Sequence, residues 1–354
     1  MIKLKNIIIL TFTTVLLLLT NVEAQQLPVY TQYVFNEYVM NPAVAGTVDH
    51  SPIRMSYRDQ WSGFTDIKGN NVAPKTFSFS AHTPISNSLA IGGFAYNDVT
   101  GPISQTTGQI SYSWRGCLSP QSCFWEKKKF ISFAYGVRFI QWAFDETQTE
   151  DYSGTILGIN DPVLPNTVET DFLVSHTVAS YFYTEYFYAG LSAQNLFTRA
   201  LKIQTHQSYE NRLTPEYNFM AGAYLPFTED RSLAVEPSIL TKTTSWSETQ
   251  VDVSLRFIYE NSVWLGSSYR ASEQAFAFLF GVERGDWFIG YSYDTAVKGI
   301  DNYSSGTHEI ALGINLSMFS NFDNVRLKSR FKNRRMLLNP FRRTGSNSRR
   351  GAGV

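Results

Sequence analysis

Five histidines, His50, His82, His176, His206 and His308, are the first places to look for chemistry. An imidazole can act as a general base or a metal ligand near neutral pH. Ser175-His176 and Ser80-x-His82 are the pairings from which a membrane-embedded hydrolase could assemble a nucleophile and its base. Adjacent or alternate positions of one strand do not make a triad by themselves. No G-x-S-x-G, H-E-x-x-H or phosphate loop accompanies them, and no two histidines have metal-ligand spacing. The residues therefore offer no catalytic set, no metal site and no cofactor site. Cys117 and Cys123 lie in one loop on either side of Pro120. They could close a local disulfide in an oxidising compartment or remain a free pair; without a nearby His they do not form a zinc site.

What the chain offers instead is charge on one face of its strands. Arg115, Arg138, Glu236, Asp252, Arg256, Arg270, Glu283, Asp294 and Glu309 each sit on the polar side of an alternating segment. Such a set either braces the fold through ion pairs or presents a polar surface to a ligand, a plug or a partner segment. The elements that carry it read as strands, because side chains alternate faces with period two. Phe77, Phe79 and Ala81 alternate with Ser78, Ser80 and His82. Ile110, Tyr112 and Trp114 alternate with Gln109, Ser111, Ser113 and Arg115. Ile310, Leu312, Ile314 and Leu316 alternate with Glu309, Ala311, Gly313 and Asn315. Leu89–Asn97 and Phe172–Tyr183 alternate poorly, with apolar residues on both faces. The pattern predicts fourteen strands, at 52–60, 74–83, 88–98, 105–115, 129–142, 169–183, 186–195, 215–226, 231–241, 248–258, 262–270, 274–284, 286–295 and 307–319.

Composition says what encloses them. Aromatic residues are 15% of the chain and charged residues 17%, against roughly 25% charged in soluble domains. No long apolar run follows Ala24, which excludes a bundle of membrane-spanning helices. Lys3 and Lys5, the apolar run Ile7–Leu19 and Val22-Glu23-Ala24 read as a signal peptide over 1–24, the run being short for a membrane anchor. The expectation is an all-β, antiparallel transmembrane barrel of about fourteen strands over 51–319. Loop length supports it over a soluble sandwich. Connections through Pro84–Asn87, Thr184-Glu185, Thr228–Asp230, Glu260-Asn261 and Gly285 are tight, and only Cys117–Lys128 is longer. The alternate set holds the long loops Trp61–Ala73, Asp145–Thr167, Phe197–Thr214 and Ala296–Gly306. Outer-membrane barrels sort their loops this way, with short periplasmic turns and long external loops. Trp61, Trp114, Trp125, Trp142, Trp246 and Trp287 fall at strand ends, where interfacial girdles need amphipathic rings.

Two pieces flank the barrel. Residues 29–40 could form a short amphipathic helix ended by Asn41-Pro42, making 25–50 a periplasmic plug or cap. The tail, 320–354, is basic. Residues 323–354 carry ten Lys or Arg and one acid, net +9, whereas 25–322 carry eighteen basic and twenty-eight acidic residues, net −10. An even strand count puts both chain ends in the periplasm, where nucleic acid is absent, so the basic run is not a nucleic-acid patch. Anionic lipid or a protein partner remains, the latter through Arg326, Arg330, Phe331, Arg334, Arg335 and Phe341.

Three motifs resemble one family. Gln32-Tyr33-x-Phe35-Asn36 leads to Asn41-Pro42-Ala43-x-Ala45-Gly46. Tyr57-Arg58-x-Gln60-Trp61 precedes Thr76-Phe77-Ser78. Gly306-Thr307-His308-Glu309-Ile310-Ala311-Leu312 opens the last strand. Their order and spacing resemble the PorP/SprF outer-membrane proteins of type IX secretion and gliding, over roughly residues 27–319. The resemblance implies an accessory secretion component without enzymatic activity. Its implied partners are a large secreted adhesin or effector with a type IX C-terminal domain, and periplasmic components that are peptidoglycan-anchored or belong to the secretion ring. Its motifs mark Asn36, Asn41, Pro42, Gly46, Arg58, Gln60, Trp61 and Glu309 as partner or lumen residues, and Arg138 and Arg256 join them from the charged face of the strands. Each motif also has a plainer reading: a turn at Asn41–Gly46, an interfacial anchor at Arg58 and Trp61, an ion pair at Glu309. The competing functional class is a channel for small hydrophobic or polar ligands with an N-terminal plug.

Overall fold

A computed structural model describes residues 33, 36–48, 50–65, 69, 71–86, 88–118, 129–145, 168–201, 213–228, 232–245, 248–260, 262–295 and 302–316. Its strands are β1 (Ser51–Asp59), β2 (Lys75–Pro84), β3 (Leu89–Thr100), β4 (Ile103–Cys117), β5 (Phe130–Asp145), β6 (Val168–Tyr183), β7 (Phe187–Leu196), β8 (Glu216–Ala223), β9 (Leu225–Pro226), β10 (Leu233–Ser245), β11 (Glu248–Tyr259), β12 (Val263–Arg270), β13 (Ala275–Arg284), β14 (Trp287–Asp294) and β15 (Thr307–Leu316). All pairings are antiparallel between chain neighbours, and β15 pairs β1, so the sheet closes with no free edge.

β8 and β9 are two parts of one strand, which makes the barrel fourteen-stranded. The register of β10 is the same on both parts: Ser238 faces Gly222 and Val235 faces Leu225. Pro237 lies between them and has no N–H to donate, so the ladder is interrupted beside Tyr224. The expected strand limits agree with the observed ones to within four residues, the largest difference being β10, which runs on to Ser245. β5 and β6 are the longest strands, sixteen residues each.

The faces are inverted relative to a soluble protein. Phe77, Ile110, Tyr135, Phe172, Leu191, Leu265, Phe278 and Ile289 are exposed on the outside. Ser78, Gln109, Ser132, Ser175, Asn218, Ser268 and Ser292 are buried on the inside. Apolar side chains facing out and a closed backbone ladder are what a hydrocarbon solvent requires, since no backbone group there can turn to water. Trp114 and Trp287 are exposed near the short-turn end of their strands, while Trp61 and Trp142 are half-buried. Trp125 and Trp246 lie outside the described residues, as do the signal segment and the tail.

Tyr33 and residues 36–48 lie inside the barrel. The helical part described is one turn, α1 (Glu37–Met40), followed by a 3-10 turn at Pro42–Val44. The expected helix over 29–40 is thus a single turn among the described residues. Pro42 biases Asn41 to an extended conformation, which ends the helix, and the Asn41 side chain then accepts from the Ala43 N–H at 2.9 Å. All four residues of α1 are buried, Glu37 included, so the turn is enclosed rather than amphipathic.

Candidate functional site

The lumen has two unlike walls. The first runs through β2–β8 and holds the N-terminal segment. Tyr33, Tyr38, Val39, Met40, Ala43 and Val44 pack in one buried cluster with inward residues of this wall, among them Ala90, Phe94, Tyr96, Tyr181, Tyr183 and Met220. Polar contacts register the segment. Ser80 donates to Asn36 at 2.9 Å, and Tyr181 donates to the Glu37 carboxylate at 3.1 Å. Tyr38 and Ser111 share a 2.6 Å bond. Ser192 and Gln194 donate to the Met40 carbonyl at 2.7 and 3.0 Å. The Asn41 amide reaches two barrel carbonyls, Ser180 at 3.0 Å and Leu191 at 3.3 Å. It can approach because Gly190 has no side chain: a Cβ there would sit 2.5 Å from the amide nitrogen. Gly46 makes the return turn with φ 77°, a conformation glycine alone adopts freely, and Arg115 donates to its carbonyl. Burial pushes the Tyr33 hydroxyl up to about 12, only partly offset by Ser254, and raises Tyr38 as well. Both phenols therefore stay neutral as hydrogen-bond partners.

The second wall, β10–β15 with β1, spends its polarity on itself. Arg58 bridges Asp294 at 2.8 Å and Glu309 at 3.3 Å, all essentially buried. Arg270 joins Asp294 at 3.2 Å, Glu273 at 2.8 Å and, more loosely, Asp252 at 3.7 Å. Arg256 pairs Glu236 at 2.8 Å. Tyr33 ties the segment to this wall through a 3.0 Å hydrogen bond with Ser254. Between Val39, Met40 and the side chains of Phe288, Glu309 and Ala311 lies a cavity with room for one or two waters.

The motifs far apart in sequence meet here. β1 and β15 place Arg58 opposite Glu309 and Asp59 opposite His308, so the second and third motifs form the closing seam. Trp61, with φ 53°, donates its N–H to Thr307 at 3.1 Å, and Gln60 is buried with its N–H on Pro74. Ser62 and Gly306 join the two loops above. Arg58 is therefore a lumenal ion-pair residue and not an interfacial anchor. The alternation of β1, with Met55 and Tyr57 outward, carried that signal. Arg138 is lumenal too, but its partners are amides, Gln109 at 3.1 Å, Asn195 at 3.0 Å and Gln194. Glu283 is half-buried and accepts from Asn315 at 2.7 Å. Arg54, which donates to Asn315 at 2.8 Å, and buried Lys242 are lumenal charges that sequence reading missed.

The chemical candidates separate. Ser175 faces the lumen, whereas His176 faces outward and bonds Tyr135 at 2.7 Å. Ser80 is occupied by Asn36, and His82 lies against the Tyr38 ring. Neither pairing forms a nucleophile–base couple. Among the described residues no His, Cys, Asp or Glu group could hold a metal. Cys117 is disulfide-bonded, and Cys123 lies outside the described residues. Arg326, Arg330, Phe331, Arg334, Arg335 and Phe341 also lie outside them.

Fold and lumen together define a membrane-spanning β-barrel of the outer-membrane type, crossed inside by its own N-terminal segment. The chain belongs to the type IX secretion system membrane protein PorP/SprF family, whose model matches residues 22–314. No curated protein sequence matches it. Among solved structures it is similar to the Ralstonia pickettii toluene transporter TbuX, at 9% identity over 78% of this chain and 92% of that one, with a TM-score of 0.45. The CymD monoaromatic hydrocarbon channel is 10% identical over 83% and 94%, TM-score 0.42. The KdgM porin is 5% identical over 75% and 98%, TM-score 0.34.

Proposed function

We propose that this barrel is an accessory component of type IX secretion that aids the export or surface retention of one large adhesin or effector, and that it is neither a diffusion channel nor an enzyme. The observation that carries the reading is the occupied lumen: a segment fixed to β2, β4, β6 and β7 by side-chain and backbone hydrogen bonds. An occupied lumen sets the barrel apart from an open diffusion pore, and membership of the type IX secretion family favours the secretion reading over a plugged ligand channel. The barrel invests its interior in holding its own chain, which suits a protein that works by binding. The long loops face outside, toward the exported protein. The short turns and the basic tail face the periplasm, toward anionic lipid and toward a peptidoglycan-anchored or ring component.

Three measurements test this. Capture from membranes in mild detergent, with the barrel as bait, should return one large exported protein with a type IX C-terminal domain as the main partner. Normal display of every surface protein in a deletion strain would contradict the reading. Cysteines placed in Asp145–Thr167 should react with an impermeant thiol reagent on intact cells, and cysteines in Pro84–Asn87 only after the membrane is opened; the reverse pattern inverts the orientation. Truncation after Asn321 should leave insertion intact while periplasmic partners are lost. Retention of all partners would make the tail dispensable.

A further inference from the structure

One lumenal cation has no counter-charge. Arg58, Arg256 and Arg270 each pair a carboxylate, but Arg138, 4% exposed on β5, pairs none among the described residues. Its guanidinium donates to three amide oxygens, those of Gln109 at 3.1 Å, Asn195 at 3.0 Å and Gln194, and lies 5.3 Å from the centre of the Phe94 ring. Of the five N–H donors of a guanidinium, one on each terminal nitrogen is left without a partner. A buried charge held by neutral dipoles alone is costly, and a carboxylate is the group whose geometry matches a guanidinium.

Unused donors gather beside it. Strand register sets Gln109 on β4 and Ser175 on β6 directly opposite Arg138, so the three stand in one row across the wall. The Gln109 oxygen accepts from both Arg138 and Thr177, which orients its amide and leaves the buried Nε2 without a partner. Gly136, the next inward residue of β5, keeps that nitrogen uncovered: a Cβ there would sit 3.1 Å from it. The Ser175 hydroxyl is fully buried and also lacks a partner. The row stands one inward position nearer the long loops than Ser111, which bonds Tyr38. Gln194 joins the two levels, accepting from Arg138 and donating to the Met40 carbonyl. The N-terminal segment is therefore the floor of the row, which faces the long-loop mouth.

We propose that Gln109, Arg138 and Ser175 form a carboxylate site, and that its ligand is an acidic side chain or the C-terminal carboxylate of a polypeptide entering from the long-loop mouth. The site has a single positive charge, and Glu216, which forms no ion pair with it, stands opposite Gln194 on β8. A singly charged, planar carboxylate fits that balance better than a phosphate. The proposal deepens the reading of the lumen as a binding surface and rests on the secretion reading only for the origin of the polypeptide.

The test is calorimetric titration of the purified full-length barrel with three probes: N-acetyl-trialanine, its C-terminal amide, and the amide of N-acetyl-Ala-Asp-Ala. One or both acids should bind, the tighter one naming the source of the carboxylate, and the neutral amide should not. Arg138→Gln should weaken the acid by about tenfold or more, in protein that still migrates as a folded barrel on unheated gels. If that variant fails to insert, Ser175→Ala, which breaks no hydrogen bond, should weaken the acid several-fold. Four results overturn the site: equal affinity for acid and neutral peptides, no binding of either acid, an affinity unchanged by these substitutions, or displacement of the acid by inorganic phosphate more readily than by acetate. No secreted partner enters the titration, so its failure and failure of the secretion reading are told apart.

Discussion

The two walls of the lumen are built by opposite means. The β2–β8 wall is aromatic and aliphatic with single hydroxyls and amides, and it binds another part of the chain. The β10–β15–β1 wall is ionic over its loop-end half and satisfies its charges internally. A buried charge needs a partner at fixed geometry, and β-strand register supplies one cheaply when the partner sits on the next strand. Arg58 opposite Glu309 is such a case. A docked segment instead needs shape and a few directional bonds. One wall therefore holds the barrel shut as a cylinder, and the other holds its content.

Substitutions can break this division, and the largest effect should come from the ionic wall. Arg58→Ala takes the guanidinium from Glu309 and leaves Asp294 to Arg270, and unfolding in detergent should lose about 3–5 kcal/mol, the usual result of removing one member of a buried pair. A loss below about 1 kcal/mol would mean the network is incidental. Gly190→Val pushes a side chain into the Asn41 amide and the Tyr181 ring. It should cost about 1–3 kcal/mol by overpacking, with the segment becoming protease-sensitive while the barrel stays heat-resistant; equal loss from both would remove the separation of roles. Asn41→Ala removes two hydrogen bonds to barrel carbonyls and a cap, for about 1–3 kcal/mol. The smallest effect belongs to Tyr38→Phe, which deletes only the bond to Ser111 and should lose about 0.5–1.5 kcal/mol. A double cycle with Ser111→Ala should recover that amount as coupling, and additivity would show the bond contributes nothing.

The strands were legible because period two survives wherever one face meets lipid and the other meets polar residues, as in β4 and β15. The weakly alternating stretches were informative in a way that alternation alone does not reveal. Ala90, Phe94 and Tyr96 on β3, and Leu173, Tyr181 and Tyr183 on β6, blur the pattern because they face inward and are buried. All but Leu173 pack in the cluster that holds the N-terminal segment. The inward cluster around Trp264 was invisible for the same reason: expecting a uniformly polar lumen assigns every apolar residue to lipid. Lumenal charges could be placed on a face from sequence, but their partners could not. Arg58 meets Asp294 across 236 residues, and only closure of β15 on β1 brings them together. Of the helix expected over 29–40 the described residues hold one turn, Glu37–Met40, which Asn41-Pro42 ends as its sequence implied; most of 29–35 lies outside the described residues.

The central claim is that this lumen is occupied and serves binding instead of diffusion. Planar-bilayer recording of the purified full-length barrel tests it most directly. The expected result is no steady conductance from the intact chain, and openings only when Gly190→Val loosens the segment. A stable ohmic current from the unaltered protein, unchanged by that substitution, would contradict it.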